Sequence, residues 1–322
     1  LVLLILGRVF RWIFSSLSDW LHRYIPRRIS NTFGLLATFI LFGLAANGML
    51  FSLILEGADA TYKQWDHQIR SDFEQPTDNL KTGSEASLIE WEKMGREGHR
   101  FLAESPDTTD LKQFTDDPVK QPIRVYAGMR EGSFEERAEL ALQELKRVNA
   151  FERSVLIITT PTGSGWVDKA AIAPVEYLHR GDIASVAAQY SYLPSALSLL
   201  LEREYGSEMA RELFQKVYEH WTGLPPDNRP RLYLHGLSLG ALNSDRSFDL
   251  FDVIGDPFNG ALWSGPPFRS ETWNRVTEER KPDSPVWLPQ FRDESVVRFA
   301  NSQDDLINGK PAWGDFRIAY LQ

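Results

Sequence analysis

The sequence contains no cysteine and only six histidines among its 322 residues. Without thiols the chain forms no disulfide, and both thiolate catalysis and cysteine-ligated zinc sites are excluded. The absence of cysteine does not by itself assign a redox compartment.

Basic residues are in the minority, with 35 Lys and Arg against 44 Asp and Glu and a formal net charge of −9. A protein that binds nucleic acid generally carries a basic surface to meet the phosphates. The sequence therefore predicts no nucleic-acid partner. No residue pattern in it predicts a cofactor or a metal site.

Charged side chains are absent altogether from residues 32–55. As one helix this stretch would be about 36 Å long, enough to cross a bilayer, so it predicts a transmembrane helix, with a buried core helix as the alternative. Residues 8–28 place five arginines among aromatic residues, which predicts an amphipathic connector at the membrane interface. Because the arginines precede the predicted span and Glu56 and Asp59 follow it, we predict an integral cell-membrane protein whose larger part is extracytoplasmic.

Residues 58–120 are polar and acidic, which predicts an extracytoplasmic helical connector that packs on the next domain. The helix signal in this stretch is Ser87-Leu-Ile-Glu90, a spacing typical of a capping box. The predicted organisation is thus a membrane region over 1–57, the connector over 58–120 and a catalytic domain over 121–322.

Short apolar segments alternate with helical patterns from residue 121 onward. This alternation predicts an α/β fold, with a mostly parallel sheet covered by helices on both faces. One predicted helix follows Ser133-Phe-Glu-Glu136, a second capping-box spacing, and repeats its apolar residues at helical intervals. The predicted strands are 123–127, 155–159, 183–190, 232–235, 260–264, 296–300 and a last one from 316.

The segment Gly236-Leu-Ser-Leu-Gly240 joins an apolar strand to small residues that favour a helix. This is the Gly-x-Ser-x-Gly pattern of a nucleophile elbow, in which a sharp turn from strand to helix leaves the serine hydroxyl exposed. Side chains at positions 236 and 240 would crowd that turn. We predict Ser238 as the nucleophile and the backbone N–H of Leu239 as one donor to a developing oxyanion.

Six segments resemble a known family when they are taken together. They are Pro122-Ile-Arg-Val-Tyr-Ala-Gly128, Thr160-Pro-Thr-Gly-Ser-Gly-Trp166, Gln189-Tyr-Ser-Tyr-Leu-Pro194, Gly236-Leu-Ser-Leu-Gly240, Leu262-Trp-Ser-Gly-Pro-Pro-Phe268 and Arg317-Ile-Ala-Tyr-Leu-Gln322. With them the chain resembles the bacterial membrane-anchored α/β-hydrolase family over nearly its whole length. The resemblance implies several N-terminal membrane helices joined to a catalytic domain of the serine-hydrolase type, and it leaves the natural substrate unassigned.

In that family the pattern continues, past a strand like the one predicted from residue 316, into segments that carry an aspartate and then a histidine. We therefore expect this chain to be a fragment, cut at both ends, whose α/β-hydrolase fold is incomplete at the C-terminus.

The α/β-hydrolase fold takes its second oxyanion donor from the loop after the third core strand, one strand before the strand that bears the nucleophile. The predicted strands follow this order, and the loop in question spans residues 160–166. Gly163 and Gly165 would let the backbone approach a ligand closely, so Thr162 or Gly163 is the predicted second donor. A purely structural glycine turn is the alternative.

A serine hydroxyl needs a base within hydrogen-bond reach and an acid that orients the base. The fold order places the base after the serine, whereas all six histidines precede Ser238: His22, His67, His99, His179, His220 and His235. We interpret His235 as a strand-end packing residue or a residue of the oxyanion region, rather than as the base. Asp304 and Asp305 are considered as the acid, with surface charge as the preferred interpretation. The fragment is therefore expected to be inactive for lack of the histidine.

Together these patterns predict a membrane-anchored serine hydrolase that acts on an ester or related acyl bond, in a small molecule or a lipid, through Ser238. Two alternatives use the same fold. One is a non-catalytic module for binding or assembly at the membrane, and the other is an acyltransferase with the same serine and an acceptor other than water.

Overall fold

The computed structural model of the chain describes residues 2–24, 26–46, 49–67, 73–201, 204–307 and 311–322. The chain forms two compact units, residues 1–62 and residues 63–322. Most of the stretch predicted as a connector, 58–120, thus belongs to the same unit as the sheet.

Small polar residues bring the first two helices of the N-terminal unit together. Ser30 donates its hydroxyl hydrogen to the carbonyl oxygen of Ser18, and Ser18 Oγ donates to Asn31 Oδ1 at 3.1 Å. A Cβ on Gly34 would lie only 2.7 Å from Ser18 Oγ, so this contact requires a glycine. The helices of this part of the chain are α1 (Val2–His22), α2 (Arg27–Ala46) and α3 (Met49–Asp66).

The prediction of one transmembrane helix over 32–55 is not supported. The described residues of this uncharged stretch belong to α2 and α3, and residues 47 and 48 lie outside the described residues. In the part of the chain that the structure describes, no helix is both long and apolar enough to cross a bilayer.

The interfacial connector predicted over 8–28 overlaps α1 and the start of α2. Three of its aromatic side chains are exposed: Trp12 by 70%, Trp20 by 59% and Tyr24 by 74%. Contact with a lipid surface stays a prediction, which these exposed aromatic residues motivate. The orientation and the extracytoplasmic location, predicted from the arginines and from Glu56 and Asp59, also stay predictions.

Seven strands within the described residues form one parallel sheet, in the order β1-β3-β2-β4-β5-β7-β6. All seven predicted strands are confirmed, with ends that shift by at most a few residues. The strands are β1 (Ile123–Ala127), β2 (Val155–Thr160), β3 (Ile183–Ala188), β4 (Arg231–Leu237), β5 (Gly260–Ser264), β6 (Val297–Ala300) and β7 (Arg317–Leu321).

Helices lie on both faces of this sheet, as the alternating pattern predicts. They are α4 (Gly95–Ala103), α5 (Thr108–Phe114), α6 (Phe134–Arg147), α7 (Lys169–Leu178), α8 (Ser195–Leu201), α9 (Tyr205–Thr222), α10 (Leu239–Asp245), α11 (Leu250–Val253), α12 (Glu271–Glu278) and α13 (Gln303–Ile307). Single turns of 3-10 helix occur at Trp91–Lys93, Met129–Glu131, Ala150–Glu152 and Pro226–Asn228.

Alternate residues of each strand face opposite sides of the sheet, which separates the core into two layers. The larger layer joins Val125, Leu156 and Leu234 to apolar residues of α6, α9 and α10. The smaller layer, on the other face, has two parts. Tyr126 packs with residues of α4 and α7 in one, and Ile157 packs near the end of α7 in the other. Both faces are therefore covered, which is why the strands read as continuously apolar.

A buried ion pair fastens the smaller layer to the edge of the sheet. Arg124 on β1 donates from Nε to Glu176 Oε1 at 2.7 Å and from Nη2 to Glu176 Oε2 at 2.6 Å. The same guanidinium also donates to the carbonyl oxygen of Phe101 in α4. Burial raises the pKa of Glu176, and the Arg124 hydrogen bonds oppose that rise. The pair links α4, β1 and α7.

Of the two predicted capping boxes, one is confirmed. Ser133 Oγ accepts from Glu136 N while the Glu136 carboxylate accepts from Ser133 N, at the start of α6. Ser87 does not begin a helix: its hydroxyl donates to Glu144 Oε1 at 2.8 Å. The next α-helix, α4, begins at Gly95, so this prediction is wrong. The Ser87 hydroxyl, which the local pattern predicts as a helix cap, instead donates to a carboxylate of α6.

Candidate active site

The chain turns sharply from β4 into α10 at Ser238, as the motif predicts. Ser238 has φ 53° and ψ −118°, a backbone conformation that costs free energy for any residue with a Cβ. The serine is half-buried, whereas Leu239 and Gly240 after it are buried. The turn therefore leaves the serine at the carboxyl edge of the sheet.

The two glycines of the motif are required by close backbone contacts. A Cβ on Gly236 would lie 2.6 Å from Ala241 N, and a Cβ on Gly240 would lie 2.8 Å from the carbonyl oxygen of Pro161. Both distances are shorter than real Cβ contacts allow. The Gly240 contact also shows that α10 begins directly against the loop that follows β2.

The backbone N–H groups of Ser238 and Leu239 differ in their acceptors. Ser238 N donates to the carbonyl oxygen of Ser264 at 2.8 Å, which ties the turn to the end of β5. Leu239 is the first residue of α10, a position whose N–H has no acceptor within its own helix. Of these two N–H groups, that of Leu239 is thus the one placed to meet a ligand.

The loop over 160–166 holds both residues predicted as the second oxyanion donor, and both N–H groups already have acceptors. Thr162 N donates to the carbonyl oxygen of Trp166 at 2.9 Å, within a backbone turn. Gly163 N donates to Ser195 Oγ at 3.2 Å. A hydroxyl can rotate away and a backbone turn cannot, so the Gly163 N–H is the better of the two candidates.

The glycines of this loop approach protein rather than open space, contrary to the expectation that they make room for a ligand. A Cβ on Gly163 would lie 2.6 Å from the carbonyl oxygen of Leu193, and one on Gly165 would lie 2.8 Å from Gln189 Cγ. Gly165 also has a φ of 91°, which other residues rarely adopt. These contacts are the physical reason for both glycines.

Tyr126 and Gln189 hold the loop in place, and Asp66 contacts Gln189; none of the three is a predicted site residue. Tyr126 Oη donates to the carbonyl oxygen of Gly165 at 2.8 Å. Gln189 Nε2 donates to the carbonyl oxygens of Ser164 at 3.2 Å and Ser191 at 3.1 Å, and lies 3.4 Å from Asp66 Oδ1. Burial raises the pKa of Asp66 to about 6, against the effect of the Gln189 hydrogen bond. Asp66 lies far from Gln189 in the sequence, so no local sequence pattern predicts their contact.

His235 does not serve Ser238, despite lying three residues before it. Its side chain is 4% exposed, lines a cavity of about 320 Å³ between α7 and the sheet, and has no hydrogen-bond partner among the described residues at either ring nitrogen. Burial lowers the pKa of His235 to about 4, and Asp168 opposes the shift. No hydrogen bond joins Ser238 to any histidine in the described part of the chain.

Acidic residues after β6 do not complete a triad either. Asp305 Oδ2 accepts from Asn301 N at 3.0 Å and from Ser302 N at 2.9 Å, so it caps the turn before α13. β5 and β7 separate β6 from β4, and three strand spacings amount to roughly 14 Å. Asp304 lies beside Asp305 on α13, which favours the interpretation as surface charge.

The neutral burial of His235 predicts an acid-sensitive stability. Its folded-state pKa of about 4 lies below the ordinary 6.5, so its contribution is complete above pH 6.5 and is lost as the pH falls through 4. Wild-type protein should lose roughly 3 kcal/mol more than His235→Leu between pH 7 and pH 4. Urea unfolding at both pH values measures the difference; equal losses in the two proteins would contradict this account.

Comparison with known proteins now decides the family. Residues 123–322 match the profile described as "Alpha/beta-hydrolase family", and residues 1–106 match that of "Alpha/beta-hydrolase family N-terminus". The chain belongs to this family. No curated protein and no solved structure matches the chain. For this α/β-hydrolase the predicted fold is confirmed in its sheet and helices, and membership indicates a hydrolase-type function. Family membership alone does not extend to membrane anchoring.

Proposed function

We propose that this α/β-hydrolase cleaves an ester or a related acyl bond, with Ser238 as the nucleophile. The observation that carries the proposal is the turn at Ser238, where a strained, half-buried serine stands between β4 and α10 at the carboxyl edge of the sheet. Strain of this kind persists where the surrounding structure imposes it, and it concentrates at functional sites. The contacts of Gly236 and Gly240 supply that constraint.

In the proposed reaction Ser238 Oγ attacks the carbonyl carbon while its proton passes to a base, and the carbonyl oxygen becomes an oxyanion. The N–H groups of Leu239 and Gly163 would donate to it. Because Gly163 N now donates to Ser195 Oγ, the Ser195 hydroxyl must turn away when substrate binds. Collapse of the oxyanion breaks the ester C–O bond, and the leaving alcohol takes the proton from the base, which leaves the acyl group on Ser238. Water, losing a proton to the same base, then attacks the acyl-enzyme, and the acid leaves as Ser238 Oγ takes that proton back.

Covalent labelling tests the assignment. A fluorophosphonate should react with protein expressed from its complete coding sequence, and peptide mapping by mass spectrometry should place the adduct on Ser238. Heat-unfolded protein is the control, because labelling depends on the folded turn rather than on a free hydroxyl. An adduct on another residue, or no adduct on folded protein, would favour the non-catalytic module. An adduct on Ser238 with acyl transfer to an alcohol and no release of acid would favour the acyltransferase.

A further inference from the structure

Exposed aromatic side chains lie at the same edge of the sheet as Ser238. All strands are parallel, so the carboxyl ends of β4, β5, β7 and β6 meet at one edge. The hydrogen bond from Ser238 N to the Ser264 carbonyl oxygen joins the nucleophile turn to the end of β5. Four residues after Ser264, Phe268 is 84% exposed.

A chain of contacts continues from Phe268 across the neighbouring strand ends. The rings of Phe268 and Trp273 lie 5.8 Å apart, centre to centre. In the amide orientation that satisfies both contacts, Gln322 accepts from Trp273 Nε1 at 2.9 Å and donates to the carbonyl oxygen of Trp287 at 2.9 Å. Asn301, after β6, donates to the same oxygen at 2.8 Å. Phe268, Trp273 and Trp287 are called the aromatic rim below.

The backbone of the aromatic rim is fixed. The side chains of Phe268 and Trp287 face solvent, and that of Trp273 is partly buried against the core. Asn274 Nδ2 donates to the carbonyl oxygen of Phe268 at 2.6 Å, and the Trp287 carbonyl oxygen has the two donors just described. Trp287 is 72% exposed and Val286 beside it 58%. Large apolar side chains that are held in water next to a reactive group are typical of a binding surface.

We propose that the aromatic rim binds the apolar acyl chain of an ester substrate, so that the enzyme prefers medium-chain acyl esters to acetate esters. This inference rests on the proposed function, because the position beside Ser238 is what identifies the occupant. The acyl carbonyl must reach Ser238 Oγ. An extended acyl chain can then leave the turn along β5 toward Phe268 and, past the end of β7, toward Trp287.

Chain-length dependence tests the rim. With p-nitrophenyl octanoate, Phe268→Ala and Trp287→Ala should each lower kcat/KM by about 10-fold, since each removes a large apolar contact. With p-nitrophenyl acetate the change should stay within about twofold. Phe114→Ala is the matched control: Phe114 is 60% exposed, but it contacts Tyr177 near the C-terminal end of α7, away from the nucleophile turn. Wild-type protein without chain-length preference, or equal losses on both esters, would overturn the proposal.

Binding to Ser238→Ala protein separates this inference from the proposed function. By calorimetry, the octanoate ester should bind more tightly than the acetate ester, and the added substitutions Phe268→Ala and Trp287→Ala together should remove that difference. If wild-type protein hydrolyses neither ester but this rim-dependent binding is observed, the proposed function is overturned and the proposal that the aromatic rim binds the acyl chain is supported. If Phe268→Ala and Trp287→Ala instead turn a dimer into a monomer in gel filtration, a second copy of the chain covers the rim and the acyl-chain proposal is overturned.

Discussion

In protein expressed from its complete coding sequence, replacing Ser238 by alanine should lower kcat for ester hydrolysis at least about 1,000-fold, because the variant lacks the oxygen that forms the acyl bond. The N–H groups of Leu239 and Gly163 belong to the backbone and stay in place. Alanine keeps the Cβ, so the strain at φ 53° is unchanged and the fold should be retained. Initial rates with p-nitrophenyl octanoate, together with a thermal unfolding curve of each protein, measure both effects.

Ser264→Ala is the matched control for that experiment. Ser264 lies at the same edge, one strand away, and its role at the turn is a backbone carbonyl that accepts from Ser238 N. Its substitution should change the rate by less than about threefold, because that carbonyl remains. Equal rates for Ser238→Ala and wild type, with both proteins folded, would exclude Ser238 as the nucleophile.

Gly240→Ala should lower the free energy of unfolding by about 3–5 kcal/mol. The added methyl group would lie 2.8 Å from the Pro161 carbonyl oxygen and closer still to that of Thr160, both in backbone that cannot rotate away. The start of α10 and the loop after β2 would have to separate. That shift would displace the Leu239 and Gly163 N–H groups from each other, so activity should fall together with stability.

Gly255→Ala provides the comparison, because a Cβ at Gly255 meets nothing within 4 Å. Its free energy of unfolding should stay within about 0.5 kcal/mol of wild type. Urea unfolding at pH 7 gives both values. Similar stabilities for Gly240→Ala and Gly255→Ala would show that the elbow tolerates a side chain at its second glycine.

The sheet could be predicted from the sequence because its strands are buried on both faces. Val155–Thr160 and Ile183–Ala188 are continuously apolar or small, and this pattern differs clearly from that of an exposed loop or an amphipathic helix. The turn at Ser238 could be predicted for a related reason. Gly236 and Gly240 are required by contacts within a few residues or with the end of the neighbouring strand. The Gly-x-Ser-x-Gly pattern is therefore enough to predict the turn.

Contacts between residues far apart in the sequence explain why the predictions for Ser87 and for the loop glycines failed. Ser87 carries a valid local cap signal, yet Glu144 offers its hydroxyl a buried partner 57 residues away. The glycines of the loop over 160–166 were expected to face a ligand, and they face Leu193 and Gln189 instead.

The single amide of Gln189 links two loops at the nucleophile edge, since its Nε2 reaches carbonyl oxygens of both Ser164 and Ser191. Neither loop can swing outward without breaking bonds that also restrain the other. We therefore expect the two segments to open as one cooperative unit in local unfolding, so that amide hydrogen exchange gives the same opening free energy for both.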